Sequence, residues 1–327
     1  MQDVRPWSDP QITTLTTVSE QTVQTTDKEL LQPAESRAEK PRVRFDDDDD
    51  YTGNHHVYEP YKAGLPPLRP YFRELWARRQ FAFQLSKTKL RAKNYNTVLG
   101  QLWMVLTPVL MACVYFVLVM VIRGGSRGVD FFAHLLAALF VFGLFSNAVQ
   151  QASRSIVGGG KLVLNTAFPR VLLPMSAVVG SFRRFLPTIP IYIPVHLAVG
   201  APVGWELLLT IPLAFLIMVL ATGVSCFVAA AQVYFRDLTS FLPHVLRIWT
   251  YSSPIIYTAD QAIERGLGPL LWVNPMAPLI RAWSAVIDDG RLPSLEVVGA
   301  GAAWAVFLFF AGVIFFMTRE RELAVRL

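Results

Sequence analysis

Charge set inside apolar sequence is where this chain carries chemistry. Counting from Ser240, where an apolar run begins, Arg247 lies seven residues in, ~10 Å along a helix. At that depth in a bilayer a charge costs about 2.5 kcal/mol or more unless it faces protein or water. Arg247 therefore points at an aqueous path or at a buried partner, and His244 stands one turn before it. Arg183 and Arg184 pose the same question in another run: they either snorkel to the interface or line the path.

Two other constellations invite a chemical reading. Gly158, Gly159 and Gly160 precede Lys161. A phosphate loop needs a Gly five positions before the Gly that precedes the Lys, and Ser or Thr after it. Ser155 and Leu162 occupy those places, so ATP binding by this chain is not expected. The connection from Arg154 to Pro174 reads instead as a helix and turn that docks onto a partner, or as an inert linker. Asp288 and Asp289, with Asp260 and Glu264, are the carboxylates that a membrane enzyme such as a polyprenyl-linked transferase would need. They sit in a segment better read as helices with solvated ends. Cys113 and Cys226 have no second Cys or His at ligand spacing, which makes them packing residues and leaves no metal site.

The elements that position these residues follow from composition and periodicity. Of 327 residues 53% are hydrophobic and only 17% charged, with mean hydropathy +0.39, which indicates a multi-spanning membrane protein. Six apolar runs are long enough to cross the bilayer: 101–122, 131–150, 175–199, 205–235, 240–258 and 294–317. In lipid the backbone must satisfy itself, so each is helical, and the fold class is an all-α membrane protein with six transmembrane helices. Before the first span, on a wheel of about 100° per residue, Phe72, Leu75, Trp76, Phe83 and Leu90 share one apolar sector. Residues 68–92 thus read as an N-terminal amphipathic helix in the membrane interface, with Phe81 and Leu85 on its far side facing protein. Between 259 and 293, Pro269, Pro275 and Pro278 interrupt apolar pieces that read as short re-entrant helices on the outer side, before the last span.

Residues 1–65 are rich in Thr, Gln, Glu and Pro, with an acidic run from Asp46 to Asp50, and read as a disordered cytoplasmic tail ahead of a transmembrane domain over 66–327. No short apolar stretch with a basic leader opens the chain, so a cleaved signal peptide is not expected. Arg and Lys collect before span one, after spans two and four, and in the last residues, which places both termini in the cytoplasm of a plasma-membrane protein. The net charge of +6 comes largely from these flanks and does not point to nucleic acid.

Several short stretches, in order, carry a resemblance: Asn96-Thr-Val-Leu-Gly-Gln-Leu-Trp103 followed by Pro108; Ala167-Phe-Pro-Arg170 with Leu173 and Pro174; Tyr234-Phe-Arg-Asp237 with Leu242 and Pro243; Ser253-Pro-Ile-Ile-Tyr257; and Asn274-Pro275 with Pro278. Over residues 68–327 the chain resembles permeases of type-2 ABC exporters, the polysaccharide-export branch in particular. Within it the chain looks most like permeases for lipid-linked O-antigen, teichoic acid or actinobacterial galactan. The stretches from His55 to Pro70 and from Phe241 to Trp249 favour galactan. An exporter of a small lipid or drug would share the fold without an aromatic tunnel.

The resemblance implies a homodimer with two copies of a separate ATPase, which holds the ATP and magnesium; no cofactor belongs to this chain. It implies that nucleotide-driven closure is felt through Arg78, Arg79, Ile156, Lys161 and Phe168. It implies a glycan tunnel lined by aromatic residues of spans one and five, at Tyr115, Phe116, Trp249, Tyr251 and Tyr257, beside His244 and Arg247. Flat rings stack on sugars without fixing a register, which a sliding polymer requires. Arg91 and Lys93, just before span one, are placed to receive the diphosphate of the lipid carrier.

Overall fold

The computed structural model describes residues 67–94, 102–123, 128–160 and 168–326. The tail over 1–65, Lys161, and the side chains of Arg91 and Lys93 lie outside the described residues. Every regular element among the described residues is a helix.

The surface segment is two helices, α1 (Leu68–Ala77) and α2 (Arg79–Asn94), rather than one. The break is Arg78, whose ψ of 12° leaves the helical region. Phe72, Trp76 and Phe83 keep their apolar faces exposed, while Tyr71, Leu75 and Leu85 pack inward against Val171, Leu173 and Phe316. The segment is thus held by protein on one side and leaves apolar side chains exposed on the other.

The long helices are α3 (Trp103–Arg123), α4 (Val129–Ser153), α7 (Thr210–Tyr234) and α12 (Leu295–Val325). Three are long and apolar enough to cross a membrane by length and composition: α4, α7 with the short turn before it, and α12 as far as Glu320. They play different parts. In its most apolar stretch α4 is 72% buried, against 22% for α12, so α4 is the axis of the core and α12 shows most of its surface outward. Leu135, Leu136, Leu144 and Phe145 of α4 are almost wholly enclosed, whereas Phe307, Phe310 and Ile314 of α12 face out, where lipid would cover them.

α7 and α12 meet backbone to backbone. A Cβ at Gly223 would stand 2.1 Å from the Leu308 carbonyl oxygen, and one at Gly312 would stand 1.9 Å from the carbonyl oxygen of Gly223. Only glycine permits that approach, and close contact of this kind is how helices hold together where lipid removes the hydrophobic drive between them.

The run over 175–199 is broken into α5 (Leu172–Phe185) and α6 (Thr188–Val199), with Pro187 at the junction. The run over 240–258 ends early: α8 (Leu238–Ser252) stops where Ser253 turns to extended backbone, because Pro254 clashes with a helical residue before it. Three short helices follow, α9 (Ala259–Glu264), α10 (Gly268–Val273) and α11 (Met276–Ile287). Asn274 organises this region from a buried position. Its Oδ1 accepts from Trp249 Nε1 at 2.7 Å and from the Met276 amide at 3.0 Å, and its Nδ2 donates to Ser252 O and Ser253 Oγ.

Candidate functional site

α3, α4, α5 and α8 enclose a cleft of about 460 Å³ along the C-terminal half of α4. This volume lies within the about 300–1,000 Å³ of small-ligand sites. Its walls mix apolar surface from Trp103, Met111 and Phe142 with polar groups from Thr107, Asn147, Gln150 and Ser181. Two guanidinium groups enter it from different helices, Arg184 of α5 and Arg247 of α8.

The two arginines of α5 part company. Arg183 donates to the Phe83 carbonyl oxygen at 3.1 Å and lies over the Phe83 ring, tying α5 to α2. Arg184, one residue on, turns about 100° around the helix into the cleft. There its guanidinium donates to Gln151 Oε1. Arg247 is exposed and engages in no hydrogen bond or ion pair among the described residues.

The residues expected along a path divide in the same way. Tyr115 lines the cleft with Arg247, and its ring meets that of Tyr251 edge-on at 6.1 Å. Tyr251 and His244 are exposed on α8. Phe116 packs edge-on against Phe132, Trp249 against Phe145 at 5.0 Å, and the Tyr257 hydroxyl donates to Ser252 O at 3.0 Å. These three are fixed by neighbours within the chain. Sequence reasoning missed Asn147, Gln150 and Ser181, since small polar residues in a helix carry no signal until their shared face is known.

A family model for the ABC-2 type transporter matches residues 81–287, from α2 to the end of α11. The chain belongs to that family. It is a transporter subunit and a multi-pass membrane protein. An O-antigen export system permease protein RfbA of Myxococcus xanthus is 30% identical over 257 residues, 77% of this chain and 97% of its own length. Two proteins of the same name from Klebsiella pneumoniae are each 27% identical, over 70% and 64% of this chain and 85% and 80% of theirs.

Two further places in this ABC-2 chain hold charge. Near the end of α12 the carboxylate of Glu320, itself buried, accepts the Tyr71 hydroxyl at 2.7 Å and the Arg170 amide at 2.5 Å. The Arg170 guanidinium donates to the Glu320 carbonyl oxygen. Burial, and then the charge of Glu320, push the Tyr71 phenol above its ordinary range, so it stays a proton donor. This knot joins α1, the connection before α5, and α12. Beside it Ile156 is fully enclosed, and Phe168 packs on Phe81 of α2 at 5.2 Å. Arg78 pairs with Glu74 at 3.1 Å, and Arg79 lies over the Trp76 ring. In this ABC-2 chain α1, α2, Ile156 and Phe168 therefore belong to one packed unit with the end of α12.

At the other end of α4 a second cavity, of about 630 Å³, is lined by Asp130, His134, Asp260, Arg281, Asp288 and Arg291 among others. His134 Nδ1 meets Asp288 Oδ2 at 2.6 Å, and Ser284 Oγ lies 3.4 Å from the same nitrogen. A nucleophilic triad needs the hydroxyl and the carboxylate on opposite ring nitrogens. Here both lie at Nδ1, while Nε2 is buried without a partner among the described residues. No group of three or more metal-ligating side chains occurs among the described residues.

Proposed function

We propose that this chain is the permease of an ATP-driven exporter that moves a polyprenyl-diphosphate-linked polysaccharide, of the galactan class, out across the plasma membrane. Six spans, counting α5 and α6 as one broken span, put both termini in the cytoplasm. Two copies of the chain enclose the path, and two copies of a separate ABC ATPase, which hold ATP and magnesium, drive it.

The observation that carries this reading is the cleft beside α4. It joins apolar and aromatic walls, including Trp103 and Tyr115, to amide and hydroxyl groups and two cations. Rings that stack on sugar faces, with amides that exchange hydrogen bonds along a chain of hydroxyls, suit a polymer that must slide rather than lodge. The O-antigen export names of the similar permeases agree with that substrate class. Arg91 and Lys93, at the end of α2, are the first cations that an anionic lipid head meets at the cytoplasmic surface. Closure of the ATPases reaches the path through the packed unit of α1, α2 and the connection after α4. Arg78, Arg79 and Phe168 stand on it, with Ile156 bracing it from inside, and Lys161 follows in the sequence of the same connection.

Co-purification tests the reading. The chain carries an ABC ATPase with it from membranes, and a defined lipid-linked galactan raises the hydrolysis rate of the complex. Stable isolation of the chain alone as an active monomer, or hydrolysis that ignores the glycan at every concentration, overturns it.

A further inference from the structure

The cleft beside α4 contains two guanidinium groups, and no acidic residue lines it among the described residues. A cation withdrawn from water without a counter-charge is costly, and Arg184 is half-buried, while Arg247 stands exposed on the cleft wall. Arg184 is bonded only to a neutral amide, and Arg247 to no group among the described residues. Beside them Ser181 is 1% exposed, and its Oγ is a donor without a partner among the described residues, as is Nε of Arg184. Unmade hydrogen bonds of this kind cost about 1–3 kcal/mol each, so a structure that keeps several around one cavity has left them for a ligand. Two guanidinium groups and a hydroxyl lining one cleft supply the N–H and O–H donors that phosphate oxygens accept, and two positive charges match a diphosphate better than a single phosphodiester.

The cleft does not stand alone. A second groove of about 480 Å³ is lined almost wholly by apolar side chains, among them Phe182, Ile189, Ile193, Phe215 and Met218. Phe140, Phe185 and Thr188 form part of both walls. A cationic cleft and a greasy groove that share Phe140 of α4 with Phe185 and Thr188 at the junction of α5 and α6 suit one amphiphile, with its charged head in the first and its hydrocarbon chain in the second.

We propose that Arg184 and Arg247, with Ser181, hold the diphosphate of an isoprenoid lipid carrier while its chain lies in the groove between α6 and α7. This rests on the export reading and sharpens it: Arg91 and Lys93 meet the head first, and Arg184 and Arg247 hold it inside.

The test uses the permease with its ATPase partner, reconstituted in phosphatidylcholine nanodiscs, and radiolabelled geranylgeranyl diphosphate as the probe. The native complex binds it saturably. Arg184→Gln and Arg247→Gln each weaken binding about tenfold or more, since each removes a charge-assisted contact. Arg183→Gln, one residue away but bonded to α2, leaves binding unchanged. Arg247 makes no bond among the described residues, so its variant folds, and Arg184→Lys restores much of the binding if Arg184→Gln does not assemble. Unlabelled geranylgeraniol and phosphatidylglycerol compete poorly, and inorganic diphosphate competes weakly for want of a tail. Native affinity in Arg247→Gln, or equal competition by phosphatidylglycerol, overturns the head site; equal competition by inorganic diphosphate overturns the groove. Failure of the export reading looks different: the diphosphate still binds, but lipid-linked glycan leaves ATP hydrolysis unchanged.

Discussion

The cleft and the outer cavity sit at opposite ends of α4 and treat charge in opposite ways. Around His134 the protein sets acids beside bases: His134 Nδ1 lies 2.6 Å from Asp288 Oδ2, and Arg291 pairs with Asp289 at 2.6 Å. In the cleft Arg184 and Arg247 face amides, hydroxyls and rings, with no carboxylate in the lining among the described residues. The His134–Asp288 contact ties α4 to the end of α11, while the exposed Arg291–Asp289 pair holds no helix to another. Charge left without a counter-charge in a cleft, as on half-buried Arg184, raises the energy of the empty protein, and an anionic ligand recovers that energy on binding. The contrast assigns structure to one end of α4 and substrate to the other.

The sharpest way to break this contrast is the pair Arg184→Gln with Arg247→Gln. Glycan-stimulated ATP hydrolysis by the complex should fall to the basal rate, with the melting temperature lowered only by loss of the one internal bond from Arg184 to Gln151. At the outer end, His134→Ala should do the reverse. Loss of the bond to a half-buried Asp288 should destabilise the fold by about 1–3 kcal/mol in thermal unfolding, while stimulation persists. Loss of stimulation in His134→Ala would erase the distinction.

Intermediate effects belong to the knot at Glu320. Glu320→Gln keeps its size but weakens the bonds to Tyr71 and Arg170, at a cost of about 1–3 kcal/mol. If the knot links the interfacial helices to the spans, the variant should keep basal hydrolysis and lose part of the stimulation. The smallest effect is expected for Asp289→Asn. Its partner Arg291 is surface-exposed, so neither melting temperature nor stimulation should change.

Much of the fold was legible in the sequence where the signal is local. Of the apolar sector Phe72, Leu75, Trp76, Phe83 and Leu90 that helical spacing defines, Phe72, Trp76 and Phe83 are exposed. Leu75 packs inward and Leu90 lines the cleft, because the segment breaks at Arg78 and is not one continuous wheel. The depth of Arg247 follows from counting along one run, and it lines the cleft. The end of α8 at Ser252 was also within reach, because Pro254 disfavours a helical residue before it, yet hydropathy carried the expected span to Thr258. Arg183 and Arg184 could not be told apart, since which one faces the cleft depends on how α5 is rotated against α2 and α4. The Glu320 knot had no signature at all. Its partners lie 150 and 249 residues away, and only tertiary folding brings them together.

The central claim is that the anionic head of a lipid-linked glycan enters the cleft beside α4. Photo-crosslinking tests it most directly: an isoprenyl diphosphate carrying its diazirine next to the diphosphate is irradiated with the permease–ATPase complex, and the labelled peptides are found by mass spectrometry. The account predicts label on the cleft walls, around Met111, Tyr115 and Ser181, and its loss in Arg247→Gln. Label concentrated on the outer cavity around Asp260 and Asp288, unaffected by that substitution, would contradict it.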